Sequence, residues 1–424
     1  MKTSHRRIIV VAAVVVCMLV PAVGWAQTML VPMDLSQTNH LKAYGLAFRS
    51  LTRSGNVEWL LNYRGGSFMM PMTNDNVLDA RLKNVSFIQL SGADVARIHA
   101  EIERSNMELV HLEKAPRVAV YIPPVSQPWD DAVTLAMVYA EIPYEEVFDE
   151  EVLSGGLSEY DWLHLHHEDF TGQFGKFYAA YRTAQWYQEQ VREFETRSRQ
   201  LGYEKVSDEK KAVANKIRDY VANGGFLFAM CSACDTYDIA LSAEGVDIVP
   251  REFDYDGMTP GFQSMLNYER CFAFTDFQLT TNPFIYEFSD IDTSDYVRAR
   301  GPDSDYFTLF EFSAKYDPVP AMLTQNHVSV IKGFLGQTTG FRKDLVKKGV
   351  LILGQDAVHN EVKYLHGNFG RGTFTFLGGH DPEDYQHAVG DPPTELSLHV
   401  NSPGYRLILN NVLFPAAKKK KLKT

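Results

Sequence analysis

Phe226-Leu227-Phe228-Ala229-Met230 runs five apolar residues without a polar interruption, bounded by Gly224-Gly225 before it and Cys231 after it. A strand apolar on both faces must be covered on both faces, and such strands belong to parallel sheets flanked by helices. Residues 233–243 then bring Tyr237, Ala240 and Leu241 to helical spacing, so Cys231 falls on the strand-to-helix turn. A turn of that kind is tight, and Ala229 and Ala233, two residues to either side, suit it. It also lies at the carboxyl edge of an open α/β sheet, where ligands bind.

The surrounding pattern agrees. Ser207 with Asp208 and Glu209 opens a helix whose Val213, Ile217, Tyr220 and Val221 share one face, and Gly224 ends it. Upstream lie a β-branched strand over 118–122, a helix over 129–139 and strands over 144–148 and 160–166. This alternation predicts an α/β fold with a doubly wound, mostly parallel sheet over residues 116–414. Two insertions interrupt it, a helical one near 174–202 and a loop-rich one near 251–318. Strands return at 321–324 and 350–353. A hairpin of 362–366 and 373–377 delivers Gly378-Gly379-His380-Asp381-Pro382-Glu383, and a helix over 404–413 follows. Residues 27–115, with strands at 29–33 and 57–63 and helices at 39–51 and 94–105, read as an N-terminal α/β domain. Its Arg64-Gly65-Gly66-Ser67 turn is either an anion cradle or a plain loop; no phosphate-loop lysine follows.

Lys2, Arg6 and Arg7 precede an apolar run over 8–20 and then Pro21, Gly24 and Ala26. That is the form of a secretory signal peptide over residues 1–26, cut between Ala26 and Gln27, which implies an exported, periplasmic protein. No later run reaches membrane-span length. The chain carries 41 basic against 53 acidic residues, and losing the leader deepens the excess. Such a surface repels nucleic acid. The exception is the basic tail at 415–424, which reads as a solvated end. Cys231, Cys234 and Cys271 remain after cleavage, too few and too odd in number for a disulfide scaffold.

A thiol at a helix N-terminus has its thiolate favoured by the helix dipole and free amides, and those amides form an oxyanion hole. Cys231 is therefore the candidate nucleophile. His380 is the candidate base, with Asp381 or Glu383 to orient it. On the 160–166 strand His164 and His166 share a face, and His167, Glu168 and Asp169 follow at its carboxyl end. His166, His167 and Glu168, with Ser232 and Asp235 on the first turn after Cys231, are the candidate substrate-binding residues. Metal binding by two of these histidines with His380 stays open, but no ligand spacing fixes a geometry, so no metal and no cofactor is assigned. Cys231-Ser232-Ala233-Cys234 also has dithiol spacing, without the element order of a thioredoxin.

With these residues in view, residues 118–414 resemble the class I glutamine amidotransferase-like superfamily, and within it the trehalose-utilisation-like proteins. The resemblance rests on Ala229-Met230-Cys231-Ser232-Ala233, on the hairpin before His380 and on Ser402-Pro403-Gly404-Tyr405-Arg406-Leu407-Ile408-Leu409-Asn410. Nearly the whole chain also resembles exported bacterial proteins labelled asparagine synthetase B, through Asn39-His40-Leu41-Lys42-Ala43-Tyr44-Gly45 and residues 164–172. That label implies glutamine hydrolysis coupled to ATP. The ATP loop of such synthetases is met only as Ser154-Gly155-Gly156-Leu157-Ser158-Glu159, and Cys17 leaves with the leader. The expectation is an exported, cysteine-dependent amidase or hydrolase acting on a C–N bond of a small-molecule, sugar or peptide substrate. The alternatives are a non-catalytic carbohydrate- or peptide-binding protein on the same fold and the synthetase-type activity of the label.

Overall fold

The computed structural model describes residues 27–125, 127–317, 322 and 327–417. The leader, the lysine-rich end of the tail and most of the strand expected at 321–324 lie outside the described residues. Two sheets organise the rest. The first comprises β1 (Thr28–Val31), β2 (Val57–Leu61), β3 (Ser67–Pro71), β4 (Ile88–Leu90) and β5 (Glu108–Leu112), in the order β4-β1-β3-β2-β5. Every neighbouring pair is antiparallel. Side chains alternate across it: Met29, Val31, Trp59, Leu61, Phe68 and Met70 join the main core, while Leu30, Leu60 and Met69 pack on Ile98 and Ile102. Those two isoleucines belong to the helix Gly92–Arg104, which opens with a capping box between Ser91 and Asp94. The main-core face meets the helix His40–Ser54, capped by Asn39 and ended by Gly55 in the left-handed region.

The Arg64–Ser67 turn is a packing device. Arg64 pairs with Asp34 at 2.7 Å, and Gly65 lies so close to Met33 that an added Cβ would sit 2.4 Å from its carbonyl oxygen. Gly66 donates its amide to Tyr63.

The second sheet contains β6 (Val118–Tyr121), β7 (Glu145–Val147), β8 (Trp162–Leu165), β9 (Phe226–Met230), β10 (Tyr306–Leu309), β11 (Val330–Lys332), β12 (Phe341–Arg342), β13 (Leu351–Asp356), β14 (Glu361–Phe369) and β15 (Gly372–Leu377). Its order is β11-β10-β13-β14-β15-β9-β8-β6-β7, with β12 added against β14. β15, β9, β8, β6 and β7 are parallel. The remaining pairings are antiparallel, so the sheet is mixed and the expected mostly parallel arrangement holds only for the half that carries Cys231. The reason is connection length: β13, β14 and β15 follow one another through short turns, and a short turn can only reverse the chain.

β9 is buried throughout. Phe226, Phe228 and Met230 face the core shared with the helices Ala132–Ala140 and Pro403–Leu413, whereas Leu227 and Ala229 face the helices Val206–Ala222 and Ala233–Ser242. The two sheets are joined through Arg406, which is fully buried on the helix Pro403–Leu413. Its guanidinium donates to Tyr44 Oη and the Met33 carbonyl, each at 2.9 Å, and to the Gly65 carbonyl. No helix among the described residues is long and apolar enough to cross a membrane. Cys231, Cys234 and Cys271 are all free and buried.

Register places the functional edge. Leu377 pairs with Met230 and Leu165 with Ala229, so the carboxyl ends of β15, β9 and β8 are level. Gly378–His380, Cys231 and His166 leave the sheet side by side.

Candidate functional site

Cys231 has φ +53°, a left-handed conformation that costs a non-glycine residue about 1 kcal/mol or more and persists only where surrounding structure enforces it. The enforcement is visible on both sides. Cys231 N–H donates to the Gly379 carbonyl at 3.1 Å, and Ala233 N–H donates to the His166 carbonyl at 3.0 Å. Cys231 Sγ accepts the Gln337 amide at 3.3 Å, and the amides of Ser232 and Thr338 also favour its charged form. Burial outweighs them and pushes the thiol up to about 11. Gln337 closes the sulfur off, its side-chain amide donating to the carbonyls of Gly175 at 2.7 Å and Tyr286 at 3.3 Å. Iodoacetamide at neutral pH should therefore modify Cys231 at least about 100-fold more slowly than free cysteine, because both thiolate fraction and access are lost. Mass spectrometry of the native protein checks this; labelling at the free-thiol rate would mean that the 337 loop opens readily. Cys234 directs its sulfur to the Ala229 carbonyl while Cys231 Sγ accepts the Gln337 amide, so the C-x-x-C pair is two separately packed thiols; Cys271 directs its own to the Asp238 carbonyl.

The histidines form a second centre. His164 Nδ1 contacts the Phe228 carbonyl at 3.1 Å. His164 Nε2 and His166 Nδ1 lie 3.3 and 3.1 Å from the same Asp131 oxygen, close but off the line of a hydrogen bond. Asp131 caps the helix Ala132–Ala140, its other oxygen accepting the amides of Val133 and Thr134. Burial alone would raise its carboxyl; the imidazoles of His166 and His164 outweigh that and hold it well below the usual range. The His380 ring lies 4.4 Å from His166 and 6.0 Å from His167, and stacks on His387 at 3.6 Å. Burial, with His166 close by, keeps His380 neutral, and burial does the same for His167. One ring nitrogen from each of His166, His167 and His380 falls within 4.8 Å of the others. Both nitrogens of His166 and His380 and Nδ1 of His167 have no hydrogen-bond partner.

The other expected site residues are distributed differently. Asp381 does not orient His380: one oxygen accepts the amides of Glu383 and Asp384, and the other accepts the Tyr405 hydroxyl at 2.6 Å. Glu383 accepts the Tyr385 hydroxyl and pairs with His399 at 3.0 Å, so it too is committed away from that ring. Glu168 is buried, pushed up to about 8 by that burial, and lines a narrow pocket with His167, Trp129, Gln127, Phe174 and Phe177. Asp169 accepts the amides of Thr171, Gln173 and Gly175 and so folds its own loop. The Ser232 hydroxyl is buried without a partner. Asp235 accepts the Thr338 hydroxyl at 2.9 Å and belongs to the interior beside the 334–340 loop.

Burial pushes the Asp235 carboxyl from 3.8 up to about 7. The folded chain then holds this proton more tightly than the unfolded chain, so the stabilisation is full below pH 4 and is lost as pH rises towards 7. Asp235→Asn should match the wild type near pH 4 and exceed its stability by about 2–4 kcal/mol at pH 8. Urea melts at the two pH values check it; a difference that does not change with pH would place the proton elsewhere.

Sequence reasoning passed over Asp131, Gln337, Thr338 and His387. Asp130-Asp131 ahead of an apolar helix is a legible cap, and Gly336-Gln337-Thr338-Thr339-Gly340 is a polar run bounded by glycines. Nothing local marks His387.

No protein-family model matches the chain, and no curated protein matches it. Solved structures with some likeness include the Cytoplasmic Protein STM1381 from Salmonella typhimurium LT2, at 11% identity over 71% of this chain and 99% of that one, TM-score 0.37. The Cytoplasmic Protein STM3548 from Salmonella typhimurium is similar at 12% identity over 72% and 100%, TM-score 0.33. An exo-beta-1,4-mannosidase, Op5Man5 from Opitutaceae bacterium strain TAV5, is similar at 14% identity over 67% of this chain and 33% of that one, TM-score 0.26. Overlaps this loose carry no argument about ancestry or activity.

Proposed function

We propose that the chain is an exported hydrolase of the amidase type on a class I glutamine amidotransferase-like sheet, acting on a small polar substrate at the carboxyl edge of β8, β9 and β15. The working groups in this reading are the imidazoles of His166, His167 and His380. The observation that carries it is the convergence of their unpartnered nitrogens: burying polar atoms without partners costs about 1–3 kcal/mol each, so a ligand that satisfies them is expected. A neutral imidazole accepts a proton from the attacking water, and the imidazolium so formed returns that proton to the leaving amine as the C–N bond breaks.

A second reading has Cys231 as nucleophile. Its left-handed backbone and the amides at its sulfur favour this, but neither nitrogen of His380 hydrogen-bonds to the sulfur, and the thiol is closed over.

Release of ammonia or amine from a panel of carboxamides, peptides and N-acylated sugars tests both. His380→Gln should lower turnover at least about 100-fold, whereas Cys231→Ala should stay within about tenfold. Loss of turnover with Cys231→Ala alone would assign the chemistry to the thiol. Saturable binding without turnover in the wild type would make the chain a binding protein and end the hydrolase reading.

A further inference from the structure

We propose that His166, His167 and His380 together hold one divalent transition-metal ion, with Asp131 fixing His166 from behind. The proposal rests on the imidazole site described above and names the cofactor class it takes; an ion held there would occupy the ring lone pairs, and the water it binds would then replace a free imidazole as the source of the attacking group.

Three features of the centre support it. The first is reach: the three donor nitrogens lie within 4.8 Å of one another. A four-coordinate ion with metal–nitrogen bonds of about 2.0–2.1 Å needs donors about 3.3 Å apart, which small rotations of the three rings supply. The second is the partnering. His166 and His380 are almost fully buried, yet beyond the Asp131 oxygen 3.1 Å from His166 Nδ1 no ring nitrogen of either has a polar partner, so His166 Nε2 and both His380 nitrogens have nothing in the protein to replace the water lost. The third is the outer carboxylate. Asp131 lies 3.1 Å from His166 Nδ1, which places the ring proton on that nitrogen and leaves Nε2 with a free lone pair. A carboxylate behind a ligating imidazole is the arrangement that orients such ligands and raises their basicity.

The donor set also chooses the metal. Three imidazole nitrogens suit zinc, cobalt, nickel or copper and are poor ligands for magnesium or calcium, which need oxygen. Three protein ligands leave a fourth position open, the form of a reactive centre and not of a structural one. His167, the least buried of the three, borders the narrow pocket that also contains Trp129, Gln127 and Glu168, which gives that position its approach. Asp131, His164 and His166 also bring donor atoms within 4.8 Å. That triple is the less accessible of the two: His164 Nδ1 faces the Phe228 carbonyl and leaves Nε2 towards Asp131, but the ring is fully buried and does not line the pocket beside His167.

The test is metal binding by the chelator-stripped, full-length protein, independent of any activity. Zinc titrated calorimetrically should bind at one equivalent per chain, and cobalt should develop the intense visible absorption of a four-coordinate ion. His167→Gln and His380→Gln should each weaken zinc binding at least about 100-fold, and Asp131→Asn about 10–100-fold. Thermal melting of each variant shows whether it is folded. Should His380→Gln fail to fold, His167→Gln, at the least buried of the three positions, carries the same test. His359→Gln, in an exposed turn far from the cluster in sequence, should bind as the wild type does. Failure of the stripped protein to take up zinc or cobalt overturns the proposal, as does wild-type affinity in a folded His167→Gln variant. Metal bound by a protein that turns nothing over would leave this site standing and remove the hydrolase reading. Turnover that survives chelation, with no metal bound, would do the reverse.

Discussion

Lys210→Met should cost the fold about 3–5 kcal/mol. Lys210 is on the helix Val206–Ala222, and its ammonium donates to both Asp149 oxygens, at 2.9 and 2.8 Å, and to the Tyr121 hydroxyl at 2.9 Å. Both charged side chains are only 2% exposed. Methionine fills the space but leaves the Asp149 carboxylate buried beside Glu209 and Glu168, two carboxyls already pushed up to about 8 by burial. The double variant Lys210→Met with Asp149→Asn removes both charges and should recover most of the loss, since the cost lies in the unpaired charge and not in the missing attraction. Urea denaturation of the two singles and the double closes the cycle. A single-variant loss under 1 kcal/mol would mean that water reaches the pair.

The second large effect should come from Gly379→Ala, at about 2–4 kcal/mol. Gly379 has φ +97°, and a Cβ there would lie 2.4 Å from a ring carbon of Phe334 and 2.6 Å from its carbonyl oxygen. An L side chain in that backbone region costs about 1 kcal/mol, and the overlap adds about 1–3 kcal/mol. The consequence is local as well as global. The 334–340 loop is pinned to the 378–380 segment by Gly379 N–H to the Thr338 carbonyl and His380 N–H to the Leu335 carbonyl, each at 2.8 Å. Pushing Phe334 outward moves His380 and loosens the cover over Cys231. The variant should therefore melt lower and also alkylate faster at Cys231. Gly245→Ala is the control: it has φ +72° and nothing within 4 Å of an added Cβ, so it should cost about 1 kcal/mol and leave alkylation unchanged. Equal losses at the two positions would show that backbone strain alone acts and that the Phe334 contact is unimportant.

Much of the architecture is carried by local pattern. Five apolar residues made β9 a strand covered on both faces, alternation put His164 and His166 on one side of β8, and Ser207 with Asp208 and Glu209 marked the first turn of the helix that leads into β9. Such features are periodic or turn on one residue's own conformational preference, so neighbours in sequence suffice to express them. The antiparallel half of the large sheet was only partly legible, as the strand β13 and the β14–β15 hairpin.

The site itself is a matter of long-range register and of direction beyond the strand ends. Leu165, Met230 and Leu377 become level only when three strands far apart in sequence align. Past that edge no period applies, and each side chain points where the turn beneath it is forced. Gly336 packs against the backbone of His380 and Gly379 against Phe334, which sends the His380 ring towards His166, while Asp381 and Glu383 turn away to Tyr405 and His399. Asp381 and Glu383 are close to His380 along the chain and Asp131 is distant from His166, yet packing brings only the second pair together. Adjacency in sequence sets which residues share a turn; tertiary contact sets which of them meet.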